Sequence, residues 1–116
     1  MIIGVVGSRT ITDRQWIYNT LRTLPITMIV SGGASGVDTI AIDYAREYGL
    51  PYKIFHPDWA KYRGSAGAIR NLLIVRESEH IVAFWDGKSK GTKITIDIAK
   101  RESKVLGKSL TVYRRS

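Results

Sequence analysis

The run Ser31-Gly32-Gly33-Ala34-Ser35-Gly36-Val37-Asp38 places glycines and serines between an apolar strand, Met28-Ile29-Val30, and a periodic helix. A strand that breaks into glycines and then opens a helix presents unsatisfied backbone N–H groups at the positive end of the helix dipole. Phosphates and other anions bind there. Ser31, Gly32, Gly33, Ala34 and Gly36 form the expected cradle. Asp38, in the first helical turn, is favoured in its charged form by the same dipole, which would make it a poor acid. A tight turn that needs only glycine backbone angles is the simpler alternative.

Three further loops weigh toward the phosphate reading. Gly7-Ser8-Arg9 offers a close-approach glycine, a hydroxyl and a guanidinium. Trp59, Tyr62 and Arg63 precede Gly64-Ser65-Ala66-Gly67, with Arg70-Asn71 one helical turn on. Asp86-Gly87-Lys88-Ser89-Lys90-Gly91-Thr92 is a second glycine turn that opens a helix. Other chemistries find little support. Gly87-Lys88-Ser89 looks like the end of a Walker A loop, but Val82 stands where its first glycine belongs. No GxGxxG follows the first strand. His56 and His80 lack a partner at metal-ligand spacing, so no metal is expected. Ser8, Ser31 and Ser35 have no evident histidine base. For Trp59 and Tyr62, folding back over the core is the simpler reading and stacking on a base the alternative.

These loops need a frame, and the chain supplies alternating strands and helices. Ile2–Val6, Thr27–Val30, Tyr52–Phe55, His80–Phe84 and Leu110–Tyr113 read as apolar strands. The first helix is predicted to start at Thr12, with Gln15 completing a capping box, and to stop at Pro25. The second buries Val37, Ile40, Ala41, Tyr44, Ala45 and Tyr48 at helical spacing, with Gly49 as its cap. The third carries Ile69, Leu72, Leu73 and Val75. In residues 92–105, Ile94, Ile96 and Ile98 alternate as in a strand. The segment's length, its basic end and Gly107 nevertheless predict a helix. Residues 114–116 are expected to fray. Strands separated by helices imply a parallel sheet covered on both faces. Every long, polar connection runs from strand to helix and so lies at the carboxyl edge, where open α/β sheets bind ligands.

With 116 residues, one domain over 1–116 is expected. Absence of cysteine excludes disulfides and suits a reducing cytoplasm. Met1 leads directly into a strand with no signal-like or membrane-length apolar run, so a cytoplasmic location without membrane attachment is expected. The net charge of +8 lies wholly in the second half: residues 1–60 hold five Lys/Arg against five Asp/Glu, residues 61–116 thirteen against five. Such asymmetry fits either a phosphate-attracting face or a solubilising one.

Together these segments resemble the SLOG superfamily, which joins DNA-processing protein A and the Lonely Guy nucleotide hydrolases, and within it the YspA-like branch. The resemblance rests on Gly7-Ser8-Arg9, Ser31 to Asp38, Asp58-Trp59, Gly64 with Ala66-Gly67, Arg70-Asn71, and Phe84 through Gly91-Thr92. It implies a Rossmann-like sheet of strand order 3-2-1-4-5, with a ligand crevice between the first and fourth strands and a nucleotide or nucleotide-derived ligand. The Ser31–Asp38 run is similar to the glycine motif of DNA-processing protein A, whose family binds single-stranded DNA. The fourth loop resembles the Lonely Guy phosphate loop, PGGxGTxxE, but begins Asp86-Gly87 and has Thr95 in place of the glutamate. A hydroxyl cannot replace that carboxylate as an acid/base near neutral pH. Relatives often self-associate, so a homodimer is an expectation of the resemblance.

The leading expectation is a domain, in a sensor role or another, that binds a phosphorylated nucleotide-like ligand and carries no separate cofactor. Gly7, Ser8, Gly32, Gly33, Gly36, Gly91 and Thr92 would supply backbone or hydroxyl contacts. Arg9, Arg70 and Lys90 would supply charge, and Asp38 and Asp86 would orient a ribose or base. Ser31, Ala34, Asn71 and Gly87 complete the expected site. An N-glycosidic hydrolase using Asp38 or Asp86, and a single-stranded nucleic-acid binder stacking bases on Trp59 and Tyr62, are the alternatives.

Overall fold

The computed structural model describes residues 1–114. Of the three residues expected to fray, Arg115 and Ser116 lie outside the described residues, while Arg114 is the last residue of a strand. The elements are β1 (Ile2–Gly7), α1 (Arg14–Leu21), β2 (Met28–Ser31), α2 (Val37–Glu47), β3 (Tyr52–Ile54), α3 (Trp59–Tyr62), α4 (Ala66–Glu77), β4 (His80–Trp85), α5 (Lys90–Leu106) and β5 (Ser109–Arg114). A single 3₁₀ turn, Arg63–Ser65, joins α3 to α4. All strand pairs are parallel and the order is β3-β2-β1-β4-β5, as expected.

Strand periodicity divides the core. Successive side chains of a strand point to opposite faces. Ile3, Val5, Ile29, Val82 and Phe84 therefore pack under α1 and α2, against Ile17, Leu21, Ile40 and Tyr44. Val6, Val30, Ile81 and Ala83 point the other way, onto α4 and α5, where they meet Ile74, Val75, Ile96 and Ala99. Burial on both faces explains why β1 and β4 read as unbroken apolar runs rather than alternating ones. The ambiguous segment is helical: Thr92, Thr95, Ile96 and Ala99 form its buried stripe, and Ile94 turns outward.

Several local expectations needed correction. The first helix starts at Arg14, not Thr12, because the Asp13 carboxylate accepts from the Trp16 N–H at 3.1 Å. A carboxylate at that position is as good a cap as a threonine hydroxyl and lies one residue nearer the apolar stripe. The helix ends at Leu21, well before Pro25. β2 is displaced by one residue, since Ser31 still pairs with Ile54 of β3. Tyr48 is not core: it is 49% exposed beyond the last turn of α2, where Arg22 covers its ring. Ile42 is buried in its place. The third loop also contains α3, capped by Asp58, whose carboxylate accepts from Lys61 N–H at 3.0 Å.

Candidate functional site

The loops after β1 and β4 are joined by Ser8. Its hydroxyl is buried, accepts from the Asp86 N–H at 3.1 Å and lies 3.5 Å from the Thr92 hydroxyl. Ser8 N–H also donates to the Phe84 carbonyl. Asp86 closes its own turn: its carboxylate accepts from the Lys88 and Ser89 N–H groups and from the Thr10 hydroxyl, at 2.8, 2.7 and 2.7 Å. Led by the Thr10 bond, these contacts hold the Asp86 carboxyl down at about 2. Ser89 then caps α5, so Lys90, Gly91 and Thr92 form its first turn rather than a loop.

The 31–38 run folds differently from a bare cradle. Ser31 donates its hydroxyl to the Val5 carbonyl at 2.7 Å and is buried there. Gly36 precedes α2 at φ +76°, and a Cβ on it would stand 2.6 Å from the Arg9 carbonyl oxygen, so only glycine fits. The Ala34 N–H, offered in principle to a phosphate, donates to Asp38 Oδ2 at 3.1 Å. Asp38 thus occupies part of the cradle itself. Its residue is only 6% exposed. Burial outweighs the Ala34 hydrogen bond and the nearby Arg70 charge, and pushes its carboxyl up to about 6. The expectation of an Asp38 held in its charged form, and so unsuited as a general acid, is overturned: desolvation beats the helix dipole here.

Arg70, from α4, reaches under the same loop. Its Nη1 donates to the Gly32 carbonyl at 2.6 Å and its Nε to Asn71 Oδ1 at 2.8 Å. The guanidinium approaches so closely that a Cβ on Gly32 would meet Nη1 at 2.7 Å. Burial lowers the Arg70 pKa, Asp38 raises it, and neighbouring Arg9 lowers it further. Arg9 is exposed and takes part in none of the ion pairs among the described residues.

These groups surround a cavity of about 620 Å³ between the carboxyl ends of β1 and β4. Gly7, Arg9, Ala34, Asp38, Arg70, Asn71, Asp86, Gly91 and Thr92 line it, together with Thr10, Lys88 and Ser89, which were not among the expected contacts, and Thr95, noted above only for replacing a glutamate. Thr95 stands one turn after Thr92 on α5, a spacing that was readable once the segment was taken as a helix. A second cavity of about 390 Å³ adjoins it, shares Arg9, Ala34, Arg70, Asn71 and Gly91, and adds Gly32, Gly33, His56 and Trp59. Ser8, Ser31, Gly36, Gly87 and Lys90 line neither; the first two are buried braces and Gly87 lies against Arg114. Trp59 does not fold over the core: it is 59% exposed, and no residue of the single-turn helix α3 is buried. No cluster of three or more His, Asp or Glu side chains suited to a metal occurs among the described residues. Nor, among them, is any helix long and apolar enough to cross a membrane.

A five-stranded parallel sheet in this order, with a polar cavity where the loops after its first and fourth strands meet, defines a Rossmann-like α/β protein. The chain belongs to the YspA, cpYpsA-related SLOG family, whose model matches residues 1–62. The fold is similar to that of DNA processing protein A (DprA) from Streptococcus pneumoniae, with a TM-score of 0.78 and 20% sequence identity. That similarity covers 98% of this chain and 50% of the other, so the chain spans about half the length of that protein. The search of curated proteins gave no match.

Proposed function

We propose that the protein binds a phosphorylated nucleotide or nucleotide derivative at the carboxyl edge of its sheet. The observation that carries this reading is the pair Arg9 and Arg70 on the seam of two adjoining cavities, beside the first turn of α5. A phosphate on that seam would gain two guanidinium partners and the helix N-terminal amides. The hydroxyls of Thr10, Ser89, Thr92 and Thr95 suit a ribose. Membership of the SLOG family agrees with a nucleotide-related role.

Calorimetric titration with nucleoside 5′-monophosphates tests this. Arg9→Ala and Arg70→Ala should each weaken binding by about tenfold or more, a charge-assisted contact being worth roughly 1.5–3 kcal/mol. Unchanged affinity in both variants would remove these arginines from the site. Affinity that instead grows with oligonucleotide length, and falls with a log–log salt slope of roughly −0.7 per phosphate, would assign single-stranded nucleic acid as the ligand.

A second reading, N-glycosidic hydrolysis, has one observation in its favour. Asp38 and Asp86 line the same cavity with carboxyls at about 6 and about 2. Environments that push two carboxyls apart separate an acid from a charged stabiliser. Against it, the Asp86 carboxylate is already engaged by Thr10 and by two N–H groups of its own turn. Binding without turnover is the expected outcome when the titrated monophosphates are chromatographed after long incubation. Base release abolished by Asp38→Asn or Asp86→Asn would make the protein an enzyme.

A further inference from the structure

The two adjoining cavities share Arg9 and Arg70 but differ in the other side chains around them. The larger sets the hydroxyls and carboxyls beside Val6 and Ile74; the smaller has no hydroxyl or carboxyl side chain and is walled by Pro57, Trp59, Ala68 and Ile94. Trp59 and Ile94, one on α3 and one on α5, leave 59% and 49% of their surface in water. Large apolar side chains left exposed at the mouth of one concave site are unusual unless a ligand covers them.

Part of the smaller cavity's wall is bare backbone. Gly32, Gly33 and Gly67 line it without side chains, and the indole edge stands 4.0 Å from where a Cβ of Gly67 would be. The backbone that carries Trp59 is fixed at both ends. Asp58 caps α3, and Arg63, which ends it, is held at φ +50°, a conformation a non-glycine residue keeps only where its surroundings fix it. His56, packed against Gly33, and Asn71 supply hydrogen-bonding atoms at the edge of the space.

We infer that the smaller cavity is the base subsite: the heterocycle of a nucleotide lies against Trp59 while its phosphate sits on the Arg9–Arg70 seam. The inference rests on the proposed function and adds to it the location of the ring. It leaves the larger, hydroxyl-rich cavity to the sugar side of the ligand. An aromatic face gives much of the affinity for a base and tolerates any of the common ones, because every base has a π-face.

Two probes separate the ring from the phosphate: adenosine 5′-monophosphate carries both, and ribose 5-phosphate only the latter. Removing Trp59, which lies outside the core, should weaken binding of adenosine 5′-monophosphate by roughly tenfold or more in Trp59→Ala. Ribose 5-phosphate should bind the variant and the parent protein alike. Trp59→Phe, which keeps an aromatic face, should recover most of the loss. An unchanged affinity for adenosine 5′-monophosphate in Trp59→Ala overturns the base subsite and leaves the phosphate seam intact. So does an equal loss for both probes, which would mark a distorted loop. If ribose 5-phosphate and adenosine 5′-monophosphate both fail to bind the parent protein, the phosphate seam falls, and the subsite with it.

Discussion

Asp38 and Asp86 lie on the same cavity and are pushed in opposite directions, one by burial and one by hydrogen bonds. The folded pKa of Asp38 lies above the ordinary value of 3.8, at about 6. The folded state therefore holds this proton longer than the unfolded chain does. The resulting stability is complete below about pH 4 and is lost as pH rises through 6, a change of about 3 kcal/mol. Asp86 runs the other way: its contribution is present above pH 4 and is lost as pH falls toward 2. His80, whose pKa burial lowers, also favours the folded state at higher pH. Urea denaturation of the parent protein and Asp38→Asn between pH 4.5 and 7.5 isolates the Asp38 part. The variant's stability relative to the parent should climb with pH through 6; a constant difference would mean that Asp38 is not desolvated. None of this was legible locally. The dipole at the start of α2 can be read from neighbouring residues, whereas the surroundings of Asp38 include Arg70, thirty-two positions away in the chain and crowding the same Gly32.

At the scale of elements, spacing carried most of the information. Alternating apolar runs, Gly49 after α2 and Gly107 after α5 placed the helices and strands, and the unequal loops placed the cavity at the carboxyl edge. What spacing missed was the detail of the loops: the Ser8 brace, the turn closed by Asp86, and the short helix α3 with its exposed Trp59. The α2 entrance is the most constrained junction of these. Gly36 combines φ +76° with backbone of the Arg9 loop at 2.6 Å, so a side chain there meets atoms that cannot rotate away. Gly36→Ala should cost about 1–3 kcal/mol from backbone strain alone, with further loss from displacement of the Arg9 loop. Chemical denaturation would measure it. A variant as stable as the parent would show that the two loops do not pack as described.

Across the whole molecule, the sheet separates a braced edge from a binding edge. At the amino edge, charged groups are spent on the fold: Glu79 accepts from the Ile2 N–H, and Lys108 donates to the carbonyls of Arg76 and Ser78. At the carboxyl edge, Arg9 lies open to solvent beside Arg70 and the start of α5. The excess positive charge of the second half therefore does not by itself mark the site, since Lys108 is held at the amino edge and Lys93 pairs with Asp97. The most direct test asks which edge an anion chooses. Amide ¹H–¹⁵N spectra recorded while inorganic pyrophosphate is added to about 10 mM would report it for millimolar binding or tighter. Shifts should concentrate at Gly7, Arg9, Ala34, Asn71, Gly91 and Thr92 and leave Glu79 and Lys108 unmoved. Shifts centred on the amino edge, or none at all, would contradict a phosphate site at the carboxyl ends of β1 and β4.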